Sequence, residues 1–281
     1  MAAKIVDGEK VASKILEGVR ADVSELKSRG IVPKLVVIQV GEDPASTIYV
    51  NKKHKKCIEL GMESEIKRFP AQIEYEELLL QIRKLNEDSK VHGILVQLPL
   101  PDHLSHKQVL ETVAVEKDVD GLHPYSHGKN ILGKDGFVPA TPKGIMELLS
   151  AYKIKPEGKN AVVIGRSNIV GKPVASLLLN AGCTVTVCHS KTKNLADFTK
   201  RADILVCAVG KPKIVKASMV KKGAAVIDVG INRLKDGKLV GDVDFKAVSK
   251  KAGFITPVPG GVGPMTIASL MQNTVKACRG F

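Results

Sequence analysis

Tyr49 and Lys53 stand four residues apart in the segment Ser46-Thr-Ile-Tyr49-Val-Asn-Lys-Lys53-His-Lys-Lys56. In a helix the two would project from one face. A lysine-rich helix is most simply a solvated basic surface, and Lys52, Lys55 and Lys56 are read that way. Tyr49 and Lys53 are read differently, because other segments offer them partners. Gln97 closes the apolar run that starts at Gly93, at the carboxyl end of an expected strand, where open α/β sheets place ligands. Asp120, in Lys117-Asp-Val-Asp120-Gly121, lies just beyond an expected helix. An amine, a phenol, an amide and a carboxylate in one cleft would serve proton transfer and hydrogen bonding to a polar substrate. A free lysine, with a pKa near ~10.4, is a poor base at neutral pH, so that chemistry needs surroundings that disfavour the ammonium. Periodicity alone leaves open whether the four groups meet.

The elements that must position them alternate. A first helix, capped near Asp7, carries Val11, Ala12, Ile15, Leu16, Val19, Val23 and Leu26 at helical spacing and stops at Gly30. Strands are expected at 35–40, 66–69 and 93–98, with helices from Pro44 to about Leu60, at 74–88 and at 105–114. This β-α alternation is the pattern of a parallel sheet covered by helices. Glycines and prolines interrupt residues 121–142, which are read as a link. A helix at 142–152 and strands at 161–165, 184–188, 204–209 and 224–229 follow. The expected fold is α/β in two lobes: 1–120, with the terminal helix 264–281 folding back onto it, and a Rossmann-like lobe at 143–263.

In that second lobe, Val162-Val-Ile-Gly165-Arg166-Ser167 leads through Gly171-Lys172-Pro173 into a helix, and helix N-termini placed so hold phosphate. A nucleoside-triphosphate loop is rejected: five residues, not four, separate Gly165 from Gly171, and Pro173 stands where a magnesium-binding hydroxyl would be. The dinucleotide glycine fingerprint is incomplete. About 20 residues on, an acid would mark NAD. The chain has Cys188-His-Ser190-Lys-Thr-Lys193 there, with no carboxylate to repel a 2′-phosphate, so Arg166 and Ser190 favour NADP.

The 281 residues are enough for two compact lobes, and 44% are hydrophobic, yet aromatics make up 4% and Trp is absent, so the cores must be aliphatic. The net charge of +14 comes from lysines spread along the whole chain. That fits a basic surface attracting small polyanions better than a nucleic-acid stripe with stacking aromatics. No run approaches the ~18 apolar residues of a membrane span, and no signal peptide is apparent. The five cysteines form no C-x-x-C pair and are read as free thiols in a reducing cytoplasm. No metal site is expected.

A last segment, Thr256-Pro-Val-Pro259-Gly-Gly-Val-Gly-Pro264-Met-Thr266, is too rich in Gly and Pro for a plain connector and would let backbone approach a flat ligand. Together with Tyr49-Val-x-x-Lys53, Gly93-Ile-Leu-Val-Gln-Leu-Pro-Leu-Pro101, Lys117-Asp-Val-Asp-Gly121, Gly165-Arg-Ser167 and Cys188-His-Ser190, it resembles the methylenetetrahydrofolate dehydrogenase/methenyltetrahydrofolate cyclohydrolase family over essentially the whole chain. No position used here departs from the family pattern.

The resemblance implies a homodimer with folate in a cleft and NADP on the second lobe. It makes Lys53 the catalytic lysine, Gln97 its partner, Tyr49 the phenol that orients substrate and Asp120 the carboxylate that grips the pterin. Val96 and Leu98 would flank Gln97 at the folate, together with the loop residues Pro259, Gly260, Gly261, Val262, Gly263, Pro264, Met265, Thr266 and Ile267. Gly165, Arg166, Ser167, Ser190 and Ile231 would touch NADP. The implied activity is oxidation of 5,10-methylenetetrahydrofolate and hydrolysis of the methenyl product, in the one-carbon metabolism that feeds purine, methionine and histidine biosynthesis. The chain is too short for the formyltetrahydrofolate synthetase domain that some relatives append. Open alternatives are a dehydrogenase without the hydrolytic step, a hydroxy-acid or shikimate-type dehydrogenase, and a basic nucleic-acid-binding module.

Overall fold

The computed structural model describes residues 2–280. In chain order the elements are β1 (Lys4–Ile5), α1 (Gly8–Ser28), β2 (Lys34–Val40), α2 (Pro44–Glu59), β3 (Glu63–Phe69), α3 (Tyr75–Glu87), β4 (Gly93–Val96), α4 (His106–Thr112), α5 (Pro124–Ile131) and α6 (Ala140–Ala151). There follow β5 (Asn160–Ile164), α7 (Gly171–Asn180), β6 (Thr184–Cys188), α8 (Leu195–Thr199), β7 (Ile204–Cys207), β8 (Ala225–Asp228), β9 (Asn232–Arg233), β10 (Leu239–Val240), α9 (Phe245–Val248), β11 (Phe254–Ile255) and α10 (Val262–Cys278). Two compact units result, the first made of Lys14–Lys129, Asp135–Ala140 and the residues from Leu270 onward, the second of the remainder.

The first unit holds a parallel three-stranded sheet in the order β3-β2-β4. Central β2 is buried from Leu35 to Val40, as expected for a parallel strand covered on both faces. Beside it, α2 starts under firm control: the Asp43 carboxylate accepts from Ser46 N at 2.7 Å and Pro44 presets the first turn. The buried stripe of α2 is Ser46, Val50, Lys53 and Cys57, spaced four, three and four. Three of these are small or apolar; the fourth is a lysine. The far end of α10 closes the same core. Met271 Sδ lies 3.4 Å from Cys57 Sγ, and Asn273 donates to the carbonyls of Val119 and Val138 at 2.9 Å each. The expected return of the terminal helix holds from Leu270 onward, whereas residues 264–269 belong to the second unit.

The second unit contains a parallel six-stranded sheet in the order β1-β11-β8-β7-β5-β6. β7 and β8 are buried along their whole length, and Leu205, Cys207 and Val226 join an aliphatic core. From β5 the chain steps to β6 on one side and then returns to β7 on the other, so the topological switch point lies between β5 and β7.

The structure departs from the sequence partition in two further places. The first residues pair with the second unit's sheet, with Lys4 N to Gly253 O and Val6 N to Ile255 O both 2.8 Å. A two-residue edge strand is too short to show a period, so its pairing was not readable. The segment 121–142 carries the start of α6 and the whole of α5, whose residues Pro124 and Gly128 look like breakers. Pro124 stands at the first helical position, where the missing N–H does no harm.

Candidate active site

Lys53 is 8% exposed, although two of the lysines around it, Lys52 and Lys55, are solvent-facing. Its Nζ donates to Gln97 Oε1 at 2.9 Å. Gln97 follows β4 immediately, and its backbone N–H still bonds to Ile38 O of β2 at 2.9 Å, so strand pairing fixes its position. The amide is oriented as well: Nε2 donates to Leu98 O at 2.7 Å, which turns Oε1 toward the amine. Ser46 Oγ, on the same stripe of α2 as Lys53, donates to that Leu98 carbonyl at 3.5 Å.

Asp120 reaches this pair through a built turn. The Cβ of a residue at position 93 would lie 2.8 Å from a Val119 methyl, so glycine there lets the 118–121 segment press against β4. Gly121 takes φ +70°, and a side chain on it would meet Pro139 N at 2.6 Å. Asp120 is partly exposed, and its charge and that of Lys53 act on each other. Burial holds Lys53 below the ordinary lysine range of 10.5 while Asp120 pushes it back up. Burial likewise raises Asp120, against the pull of Lys53. Tyr49 sits one turn before Lys53, half-buried, with its phenol raised by desolvation and Lys52 Nζ 5.9 Å from its ring centre. Amine, amide and carboxylate thus meet in one unit, with the phenol on the adjoining turn. Val96 is 3% exposed, its side chain in the core beneath the site, and Leu98 is half-buried at the edge of that core.

At the carboxyl end of the second unit's sheet, Gly165 has φ +119°, and a Cβ there would lie 2.2 Å from Ala208 O. Only glycine fits. Ser167 Oγ accepts from Val170 N and Gly171 N at 3.2 and 3.3 Å, capping the N-terminus of α7. Ile164 pairs with Cys188, and Gly165 N bonds to Cys188 O at 2.8 Å, so Arg166 and Ser190 leave neighbouring strand ends, both exposed. A helix N-terminus, a glycine turn, and Arg166, Lys191 and Lys193 with no carboxylate at the end of β6 suit a dinucleotide that bears a 2′-phosphate.

In the same unit, Gly260 O accepts from Gly8 N at 2.9 Å, and α10 begins at Val262, two residues earlier than the sequence suggests. Val262 and Met265 are buried in the core, whereas Pro259 is exposed. Ile231 is 44% exposed, with its Cδ1 3.8 Å from where a Cβ on Gly263 would stand.

Comparison with known proteins decides the family. The tetrahydrofolate dehydrogenase/cyclohydrolase catalytic-domain family matches residues 6–120, and the NAD(P)-binding domain of the same description matches residues 139–280. The chain belongs to the tetrahydrofolate dehydrogenase/cyclohydrolase family. The bifunctional protein FolD of Moorella thermoacetica is 56% identical over 99% of this chain and 100% of its own. The crystal structure of the bifunctional FolD enzyme of Campylobacter jejuni superposes with a TM-score of 0.98 at 53% identity, covering 99% of both chains. That of the Trypanosoma brucei FolD enzyme, complexed with NADP and an inhibitor, does so with 0.96 at 39% identity, covering 99% of this chain and 98% of its own.

Sequence reasoning missed three buried carboxylates of this FolD-family chain. Asp118, two residues before Asp120, accepts from Leu122 N at 3.0 Å, His123 N at 2.9 Å and Ser126 Oγ at 2.7 Å. Burial pushes it up to about 6, with a smaller push from Asp120. It closes the turn that presents Asp120. Asp228 and Asp242 lie in the second unit. The one sequence signal was an acid ending an otherwise apolar strand, Ala225-Val-Ile-Asp228.

Proposed function

We infer that the Lys53–Gln97–Asp120 cluster is where this NADP-dependent bifunctional enzyme handles its folate. The enzyme oxidises 5,10-methylenetetrahydrofolate to the methenyl form and hydrolyses that to 10-formyltetrahydrofolate. The observation that carries the assignment is the buried Lys53 amine, 2.9 Å from an amide whose own orientation is fixed. Bound NADP supplies the acceptor for the hydride that leaves the bridging methylene. The chain's part in that step is positioning: Asp120 accepts from the pterin's amino and ring N–H groups, and Tyr49 bears on the folate. Water then attacks the methenyl cation, and opening the ring requires proton transfers. Lys53 is suited to these because burial already disfavours its ammonium, and a cationic methenyl carbon nearby disfavours it further. Gln97 steadies the amine without adding a charge that would raise its pKa.

Arg166, beside Ser190 at the strand ends, is assigned to the 2′-phosphate. Arg166→Ala should raise the KM for NADP by about tenfold or more, the order of a lost charge-assisted contact, and leave that for NAD nearly unchanged. Equal effects on both cofactors, in initial-rate assays, would contradict the assignment.

The chain is further proposed to act as a homodimer, in line with its family. Light scattering should report about twice the 30.1 kDa chain mass, and a fully active monomer at micromolar concentration would refute this. Four buried free thiols and one half-buried support a reducing compartment, read as the cytoplasm. Among the described residues no helix is long and apolar enough to cross a membrane.

A further inference from the structure

Two carboxylates lie inside the second unit at the carboxyl end of its sheet, Asp242 fully buried and Asp228 3% exposed. Asp242 Oδ2 accepts from Val209 N at 2.7 Å and Gly210 N at 3.1 Å, and its Oδ1 from Lys211 N at 2.8 Å and Asn232 Nδ2 at 3.0 Å. Asp228 Oδ1 accepts from Gly230 N at 3.1 Å and Asp242 N at 2.9 Å, and its Oδ2 from Val243 N at 2.9 Å. All seven donors are neutral amide N–H groups. Glycines let the backbone wrap the pair: a Cβ on Gly230 would lie 2.1 Å from Asp242 Oδ1, and one on Gly241 1.9 Å from Asp228 Oδ2.

Three successive N–H groups around one anion, with Gly210 at φ +64°, form a nest of the kind that often receives a bound anion. Here the chain's own Asp242 fills it. Burial, and more weakly the Asp242 charge, push Asp228 up to about 7, so the arrangement holds this carboxyl where its ionisation is disfavoured. A clip that merely joined loops would need no charge.

The first of the loops so held borders the switch point, and the second follows β8, the next strand over. Val209–Lys211 follows β7 directly after Ala208, whose carbonyl is what a side chain on Gly165 would strike. Gly230–Asn232 follows β8 and includes the exposed Ile231. A dinucleotide with its 2′-phosphate at the end of β6 and its pyrophosphate at the N-terminus of α7 would extend its other half toward the ends of β7 and β8.

We propose that Asp228 and Asp242 are positioning residues for hydride transfer, holding the Val209–Lys211 and Gly230–Asn232 loops where they border the nicotinamide half of NADP. This rests on the assignment of Gly165, Arg166, Ser190 and Ile231 to the cofactor.

Asp242→Asn tests it. Each Asp242 oxygen receives two N–H donors, so either orientation of the new amide turns its NH2 group onto two of them. NADPH affinity by calorimetry and kcat/KM for methylenetetrahydrofolate oxidation should each fall by about tenfold or more. Hydrolysis of methenyltetrahydrofolate, which consumes no cofactor, should stay within about twofold of wild type. A folded variant with wild-type NADPH affinity and oxidation overturns the proposal. Equal loss of oxidation and hydrolysis also overturns it, since that is the mark of general structural support. Should Asp242→Asn not fold, Asn232→Ala decides, because it removes a single donor from a half-buried side chain. A drop in NADPH affinity of about threefold with hydrolysis intact supports the proposal, and unchanged affinity overturns it. Arg166→Ala and Ser190→Ala separate the two claims. If neither weakens NADPH binding, the cofactor assignment fails and the proposal falls with it. If they do and Asp242→Asn does not, the positioning role alone is lost.

Discussion

Lys53→Met should lower cyclohydrolase activity by about 100- to 10,000-fold, the usual contribution of a general acid-base group, while oxidation of methylenetetrahydrofolate survives at reduced rate. The two steps should separate because hydride transfer needs a placed substrate, whereas hydrolysis needs a group that moves protons. Methionine keeps much of the aliphatic stem that packs in the Val50–Cys57 stripe of α2, so the packing loss is small. It also removes the cation that lowers Asp120, so that carboxyl should rise further. Methenyltetrahydrofolate should accumulate and decay only at its rate in solvent. In wild type, the limb of the hydrolytic pH profile that reports Lys53 should lie below 10.5, as its burial dictates. Near wild-type hydrolysis in the variant, followed by methenyl absorbance, would exclude Lys53 as the catalytic group. An equal collapse of both steps would make it a substrate-binding residue instead.

Asp120→Asn should abolish both activities by weakening folate binding, with NADP binding retained. The substitution keeps the shape of the side chain but turns one acceptor oxygen into a donor facing pterin N–H groups. Buried mismatches of that kind cost about 1–3 kcal/mol each, more when the lost partner is charged, so folate affinity should fall by at least about tenfold. Asp120 also raises the Lys53 pKa, and its removal should shift the Lys53 limb of any residual hydrolysis to lower pH. Titration of the variant with folate and, separately, with NADPH checks this. Wild-type folate affinity would remove Asp120 from the pterin site.

The catalytic cluster was legible in the sequence because its members sit on regular elements. Tyr49 and Lys53 could be set on one helical face by counting, and Gln97 could be placed at a strand end by the apolar run before it. Counting did not show that Lys53 is buried while Lys52 and Lys55 are exposed. That follows from α2 facing β2 with its Ser46–Val50–Cys57 side, a tertiary choice. The longer strands, β2 to β8, were readable from their apolar runs, β6 at its observed bounds and the others with ends shifted by one to three residues. β1, β9, β10 and β11 were not, because two residues carry no period and their pairing is set by partners distant in sequence. Asp118, Asp228 and Asp242 escaped for a different reason. Most of their partners are backbone amides, which every residue type but proline offers, and the two side-chain donors, Ser126 and Asn232, are common polar residues that mark no contact by themselves.

One progress curve tests the bifunctional, NADP-dependent activity most directly. Purified protein is mixed with 5,10-methylenetetrahydrofolate and either NADP or NAD, and methenyl and reduced-nicotinamide absorbance are followed together with 10-formyltetrahydrofolate. With NADP, reduced cofactor and 10-formyltetrahydrofolate should form in equal amounts, with a methenyl signal that passes through a maximum; with NAD the reaction should be much slower. Methenyltetrahydrofolate that builds up and decays only at the solvent rate, or a preference for NAD, would contradict the account.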